Sequence, residues 1–154
     1  MDNSFIQRGG WWVVGQSLFI IAVLLCGWLG RDEMPGRIWL ICGTVCLTFS
    51  SIVGIAGVAS LGRNLTPLPR PLKNTKLVQN GIYRFMRHPL YTAVMTASVG
   101  WSLLRASWLA LAFAFGLAAF LDAKARREES WLRHQFLEYQ EYEKRVRKFM
   151  PWIY

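Results

Sequence analysis

A guanidinium and an imidazole stand side by side at Arg87-His88, with phenols at Tyr83 and Tyr91 around them and Pro89 directly after. Further along come two adjacent carboxylates, Glu128-Glu129, preceded by Arg126-Arg127. An arginine pairs with a carboxylate or phosphate through a fork of donors. A helix that starts at Pro89 adds free backbone N–H groups suited to the same anion. Histidine takes or gives a proton near neutral pH, aromatic faces attract cations, and carboxylates accept hydrogen bonds from hydroxyls and amines. The two patches together suit a polar site for a charged small molecule. Adjacent helix positions point about 100° apart. One glutamate of the pair is therefore expected to face the pocket while the other pairs with Arg133. The plainer alternatives are a basic membrane anchor at Arg87, a surface His88 and a solvated, ion-paired helix, which is the expectation for Glu138, Glu141 and Glu143.

The elements that must hold these groups are greasy. The chain has 154 residues, of which 53% are hydrophobic, with eight Trp and nine Phe. That length suits about one domain. The net charge is +9, but the charges lie mainly between and after apolar runs. This argues for a membrane surface and against nucleic acid as partner. Cys26, Cys42 and Cys46 lie inside apolar runs, an odd count that makes no disulfide framework. Without accompanying His or carboxylates they read as packing residues, and no metal site is expected.

Four spans are expected, at about 11–29, 37–61, 88–104 and 106–124, followed by a C-terminal amphipathic helix at about 125–149. The fold class is thus an all-α integral membrane bundle, 1–154 as one domain. The first run is longer than a signal-peptide core and shows no clear cleavage site. The third and fourth runs are short and turn at Arg105, either as full spans or as a re-entrant hairpin. Basic residues crowd the 62–88 loop, which lacks acids, and the C-terminal tail. Both termini and that loop are therefore expected on the cytoplasmic side of the inner membrane. Pro67, Pro69 and Pro71 argue against a helix in the loop. Leu132, Phe136, Tyr139, Tyr142 and Val146 recur at helical steps, with Glu129–Arg133, Glu141–Arg145 and Glu143–Arg147 as i,i+4 pairs. Ser50, Gly54, Ala56, Gly57 and Ser60 form a small-residue stripe that would permit a homodimer. None of the apolar runs, the fourth taken as Ala106–Leu121, holds Asp or Glu, which weakens a small four-span transporter as the alternative, while the intact Arg-His-Pro and Glu-Glu set weakens a non-catalytic scaffold.

The ordered set Leu61-Gly62-Arg63-Asn64-Leu65-Thr66-Pro67, Leu77-Val78, Gly81-x-Tyr83-Arg84, Arg87-His88-Pro89-x-Tyr91, Arg126-x-Glu128-Glu129, then Phe136, Tyr139, Tyr142 and Val146 through Pro151 resembles the isoprenylcysteine carboxyl methyltransferase and phospholipid methyltransferase superfamily. The resemblance implies a helical membrane enzyme that uses S-adenosylmethionine without a Rossmann domain. It implies cofactor contacts from Tyr83, Arg87, His88 and Tyr91 on one side and from Glu128 and Glu129 on the other. Arg126 or Arg127 would stand near the reacting group, with Glu128 or His88 available as a base. The methyl acceptor would be lipophilic or small: a prenylcysteine-type carboxylate, a lipid amine or a thiol. Leu137 and Arg147 depart from the pattern of the prenyl-protein branch. Sterol-type membrane reductases, which use NADPH, share a late Arg-His-Pro region and form the rival enzyme class.

Overall fold

The computed structural model describes residues 9–30, 36–62, 65, 68 and 77–150. Five α-helices follow one another: α1 (Gly10–Leu29), α2 (Gly36–Leu61), α3 (Pro89–Leu104), α4 (Trp108–Gln135) and α5 (Tyr139–Arg145), with a 3-10 turn at Gly81–Arg84 before α3. The all-helical expectation holds among the described residues. The proline-rich part of the loop, including Pro67, Pro69 and Pro71, falls outside them.

Among the described residues, three helices are long and apolar enough to cross a membrane: α1, α2 from Arg37, and α4. Leu18, Ile21, Leu25, Ile41, Ile52 and Ile55 are exposed along α1 and α2. In a bundle this apolar, such side chains face lipid. α3 has 16 residues. That makes about 24 Å of helix, short of a hydrocarbon core of about 30 Å.

α2 and α3 run antiparallel at close range, and glycines set the distance. A Cβ at Gly57 would lie 2.8 Å from Leu90, and one at Gly43 would lie 2.9 Å from the Gly100 carbonyl oxygen. Gly54 faces Ala93, and the Ser50 hydroxyl donates to the Ala93 carbonyl at 2.7 Å. Ser50, Gly54 and Gly57 of the small-residue stripe thus pack within the chain, against α3. This is the use small residues have where no hydrophobic effect drives helices together.

α1 docks antiparallel on α4 through Phe19 and Phe120, whose rings lie 5.5 Å apart, with Gly15 and Gly116 beneath them. At the α3–α4 turn, Arg105 donates from Nε to the Gly27 carbonyl at 2.9 Å, and its guanidinium lies 5.7 Å from the rings of both Trp28 and Trp101. Ser107 caps α4 by accepting from the Ala110 N–H at 3.2 Å. Its hydroxyl also donates to the Cys26 carbonyl at 3.1 Å. These bonds tie the turn to the end of α1, so the α3–α4 hairpin reaches as deep as α1 does.

The C-terminal boundaries differ from the expectation. α4 does not stop near residue 124. It runs unbroken through 28 residues to Gln135, because Asp122 to Gln135 contains strong helix formers and neither Gly nor Pro. The chain then leaves the helix at Phe136 (φ −125°, ψ 112°) and forms only the short α5. Residues 125–149 are thus the tail of α4, α5 and an extended segment, not one helix. The helical spacing of Tyr139, Tyr142 and Val146 instead builds a compact cluster against Leu77, Leu132 and Phe136. Folding back buries those rings more completely than a straight helix in solvent could.

Candidate active site

The site begins with a sharp turn. Gly81 has φ +58°, and a Cβ there would collide with the Ser60 hydroxyl of α2. Only glycine meets both demands. The 3-10 turn then buries Tyr83, whose carbonyl accepts the Tyr142 hydroxyl at 2.6 Å. Residues 86–88 pair with the extended C-terminal segment. The Arg87 N–H donates to the Arg147 carbonyl at 2.9 Å and the His88 N–H to the Lys148 carbonyl at 3.0 Å. The Thr92 hydroxyl adds a bond of 3.0 Å to the Phe149 carbonyl. His88 is the N-cap of α3, and Pro89 sits in its first turn as expected.

From this corner the side chains meet α4. His88 Nε2 lies 3.0 Å from Glu129 Oε1, and an Arg87 guanidinium nitrogen lies 3.1 Å from the same oxygen. His88 and Glu129 are almost fully buried, at 6% and 3% exposure. The Tyr91 hydroxyl donates to Glu128 at 2.7 Å, and His88 Nδ1 lies 3.9 Å from the same carboxylate. The His88 and Tyr91 rings stack at 5.2 Å with only 4° between planes. Both glutamates therefore reach one imidazole, Glu129 from inside and Glu128 from the edge. Arg133 sits 3.9 Å from Glu129 and closer, 2.9 Å, to Glu143. Glu143 also approaches Arg87 at 3.6 Å, so it belongs to the site and not to a solvated face. α5 ends at Arg145, which frees Glu143 from the expected helical partner Arg147.

Burial pushes the phenols of Tyr83, Tyr139 and Tyr142 above their ordinary range. For Tyr83 and Tyr139 the Glu128 charge adds to the rise. Of the three, Tyr142 donates its hydroxyl to the Tyr83 carbonyl. Next to the cluster opens a cleft of about 420 Å³, lined by Arg87, Arg126, Arg133 and Lys148 together with Glu129 and Glu143 among others. Two buried polar atoms at this end make no hydrogen bond within the described residues: Arg87 Nε and the Tyr139 hydroxyl. A buried donor without a partner is costly, and a bound ligand is one way to satisfy it.

The structure brings together Arg87, His88, Tyr91, Glu128 and Glu129, with Tyr83 packed beneath. Of the two arginines expected near the reacting group, Arg126 lines the cleft and Arg127 lies against Trp131. Arg126 is exposed at the cleft rim and pairs with Asp122 at 2.6 Å. Arg127 turns away and lies 4.9 Å from the Trp131 ring. The buried basic side chain of that stretch is Lys124, at 2% exposure. The signal was present in the sequence. The buried stripe Ala110, Ala114, Leu117, Leu121 continues at helical steps onto Lys124 and Ala125, then Glu128 and Glu129, and misses positions 126 and 127. Lys148, which pairs with Asp122 at 2.9 Å, had no such signal.

Comparison with known proteins agrees with this architecture. The profile of the phospholipid methyltransferase family matches residues 38–138. A probable protein-S-isoprenylcysteine O-methyltransferase of Oryza sativa subsp. indica is 31% identical over 115 residues, covering 72% of this chain and 60% of that protein. The protein-S-isoprenylcysteine O-methyltransferase of Dictyostelium discoideum is 32% identical over 117 residues, covering 73% of this chain and 49% of its own length. A nickel-cobalt-cadmium resistance protein, NccN, of Alcaligenes xylosoxydans xylosoxydans is 33% identical over 155 residues, covering 97% of this chain and 68% of that protein. The chain thus spans about half to two thirds of the length of these relatives.

Proposed function

The chain belongs to the phospholipid methyltransferase family, and on that premise we propose that it is a membrane-embedded methyltransferase that uses S-adenosylmethionine. The observation that carries this reading is the buried junction of Arg87 and His88 with Glu129, beside a basic cleft. The residues fit such a cofactor. Arg87 keeps an unused Nε donor, Tyr139 keeps an unused hydroxyl, and carboxylates, aromatic faces and cations line one corner. S-adenosylmethionine, when bound, supplies a methyl group activated on a cationic sulfur.

Each residue then has a role in this proposal. Arg87, with Arg133 near it, pairs with the cofactor's carboxylate. Glu129 and Glu128 accept from its amine or ribose hydroxyls. The stacked rings of His88 and Tyr91 offer π faces to the sulfonium. Glu129 also keeps Arg87 and His88 in place, so the corner is formed before the ligand arrives, and positioning supplies much of the rate. The methyl would pass from the cofactor held by Arg87, Glu128 and Glu129 to an acceptor beside the His88 and Tyr91 rings. A thiol or amine acceptor also sheds a proton, which His88 or Glu128 receives. A carboxylate acceptor sheds none.

The test is a labelled-methyl assay on the purified protein in lipid. The acceptor panel spans prenylated carboxylates, lipid amines and small thiols. Binding of S-adenosylhomocysteine and of NADPH is measured beside it. Label transfer with S-adenosylhomocysteine binding is the expected result. NADPH binding without either would move the chain to the reductase class.

A further inference from the structure

One carboxylate at the site comes from α5 and has no role in the transfer described above. Arg133 forks onto Glu143, with Nε 3.2 and 3.0 Å from its two carboxylate oxygens and a terminal nitrogen 2.9 Å from one of them. Arg87 reaches the same carboxylate at 3.6 Å and donates to the Glu143 backbone carbonyl at 3.3 Å. Glu143 also lines the cleft. A carboxylate of the chain itself thus stands between the two arginines assigned to the ligand's carboxylate.

Two carboxylates share these arginines, and they are held unequally. Glu129 has 4% of its side chain exposed and answers to both Arg87 and His88. Removing it strands a buried charge. Glu143 is 22% exposed and its partner Arg133 42%, and ion pairs that reach solvent contribute little to stability. Glu143 is therefore the carboxylate that a ligand can displace. Its helix does not have to leave with it. Tyr139 and Tyr142 anchor α5 in a buried cluster, so rotation of one side chain is enough. Arg126 and Lys148 also line the cleft, but both already pair with Asp122.

We propose that Glu143 is an autoinhibitory latch, a resident stand-in for the ligand's carboxylate that holds Arg133 and Arg87 in the empty site and gives way when a carboxylate-bearing ligand seats between them. This rests on the methyltransferase reading and concerns how that same site is regulated. No covalent bond changes: one ion pair replaces another. While closed, the latch keeps both guanidinium groups aimed at the cleft. It lowers the apparent affinity in proportion to the fraction of molecules in which it is open. A nucleoside thioether without the amino-acid end has no carboxylate to place there, so the latch does not act on it.

The experiment is calorimetry on the full chain in lipid nanodiscs with two probes, S-adenosylhomocysteine and 5′-methylthioadenosine, which lacks the amino-acid end. Glu143→Gln is expected to bind S-adenosylhomocysteine about fivefold more tightly and to leave 5′-methylthioadenosine within about twofold. The melting temperature of the ligand-free variant should hold or fall, so that the gain does not come from a sturdier fold. Glu141→Gln removes the same charge from an exposed position of α5 and should move neither affinity. In an Arg133→Met background, where the latch has lost its main partner, Glu143→Gln should add less than about twofold. Unchanged or weaker S-adenosylhomocysteine binding in Glu143→Gln makes the residue a strut and overturns the proposal. An equal gain for 5′-methylthioadenosine, an equal gain in Glu141→Gln, or a full gain without Arg133 overturns it too, since each reports charge in general and not a latch. Absence of S-adenosylhomocysteine binding in both the wild type and Glu143→Gln contradicts the methyltransferase reading itself, and the latch falls with it.

Discussion

α3 carries an arginine just beyond each end, and the two are held in opposite ways. Arg105 is satisfied by a backbone carbonyl and two indole faces. It closes the turn and docks it on the end of α1. Arg87 meets the carboxylates of Glu129 and Glu143 and still keeps one buried donor without a partner among the described residues. One arginine is held by a carbonyl and aromatic faces, and the other by carboxylates beside a cleft. Residue type and proximity to a membrane surface do not separate them. Their partners do.

The largest expected effect tests the Arg87 end. Glu129→Ala strands a buried guanidinium, a class of change that costs about 3–5 kcal/mol. S-adenosylhomocysteine binding should fall by about a hundredfold or more, read by calorimetry, and thermal stability should fall with it. Arg87→Ala should lose binding comparably, since it removes the partner of the ligand's carboxylate. Intact binding in both variants would take the site away from this corner.

Next comes the glycine seam that holds α3 in position. Gly57→Leu drives a side chain into Leu90, and overpacking of this kind costs about 1–3 kcal/mol. A lower melting temperature is expected, with cofactor affinity falling only as the folded fraction falls. Arg105→Ala then sharpens the comparison directly. It removes one hydrogen bond and two ring contacts, about 1–2 kcal/mol in all, and should leave S-adenosylhomocysteine affinity within about twofold. Were it to weaken binding as much as Arg87→Ala does, the division between a structural and a ligand-binding arginine would fail.

Two smaller effects remain. Tyr83, Tyr139 and Tyr142 hold their protons above the ordinary phenol value of 10.0 because they are buried. In the unfolded chain they ionise from about pH 10 upward. Their contribution to stability is therefore complete below that pH and is lost as pH climbs toward the folded-state values. Melting followed by tryptophan fluorescence should show stability falling above pH 10, and Tyr139→Phe should soften the fall. Arg127→Ala should change turnover by less than about threefold, because its guanidinium rests on Trp131, away from the cluster.

Much of this is legible in the sequence. Apolar run lengths gave the helices, Pro89 gave the start of α3, and the Arg-His-Pro and Glu-Glu segments gave the pieces of the cluster. The buried stripe of α4 passes between Arg126, at the cleft rim, and Arg127, on Trp131, without including either. Had the buried stripe of α4 been carried through residue 121, it would have selected Lys124. Glu143 was read as solvated because its expected partner was local, whereas its real partners, Arg133 and Arg87, come from α4 and the loop before α3.

Composition and periodicity by themselves determined that the chain is helical, that it is built for lipid, and which residue types could bind a charged ligand. These follow from short-range facts: the length needed to cross a bilayer, the turn of a helix, the fixed φ of proline. Only the tertiary structure decided which charges are buried together and that the last residues fold back onto His88. Those outcomes depend on how glycines let α2 and α3 approach and on where buried tyrosines find cover. Such contacts join residues far apart in the chain, and no local pattern encodes them.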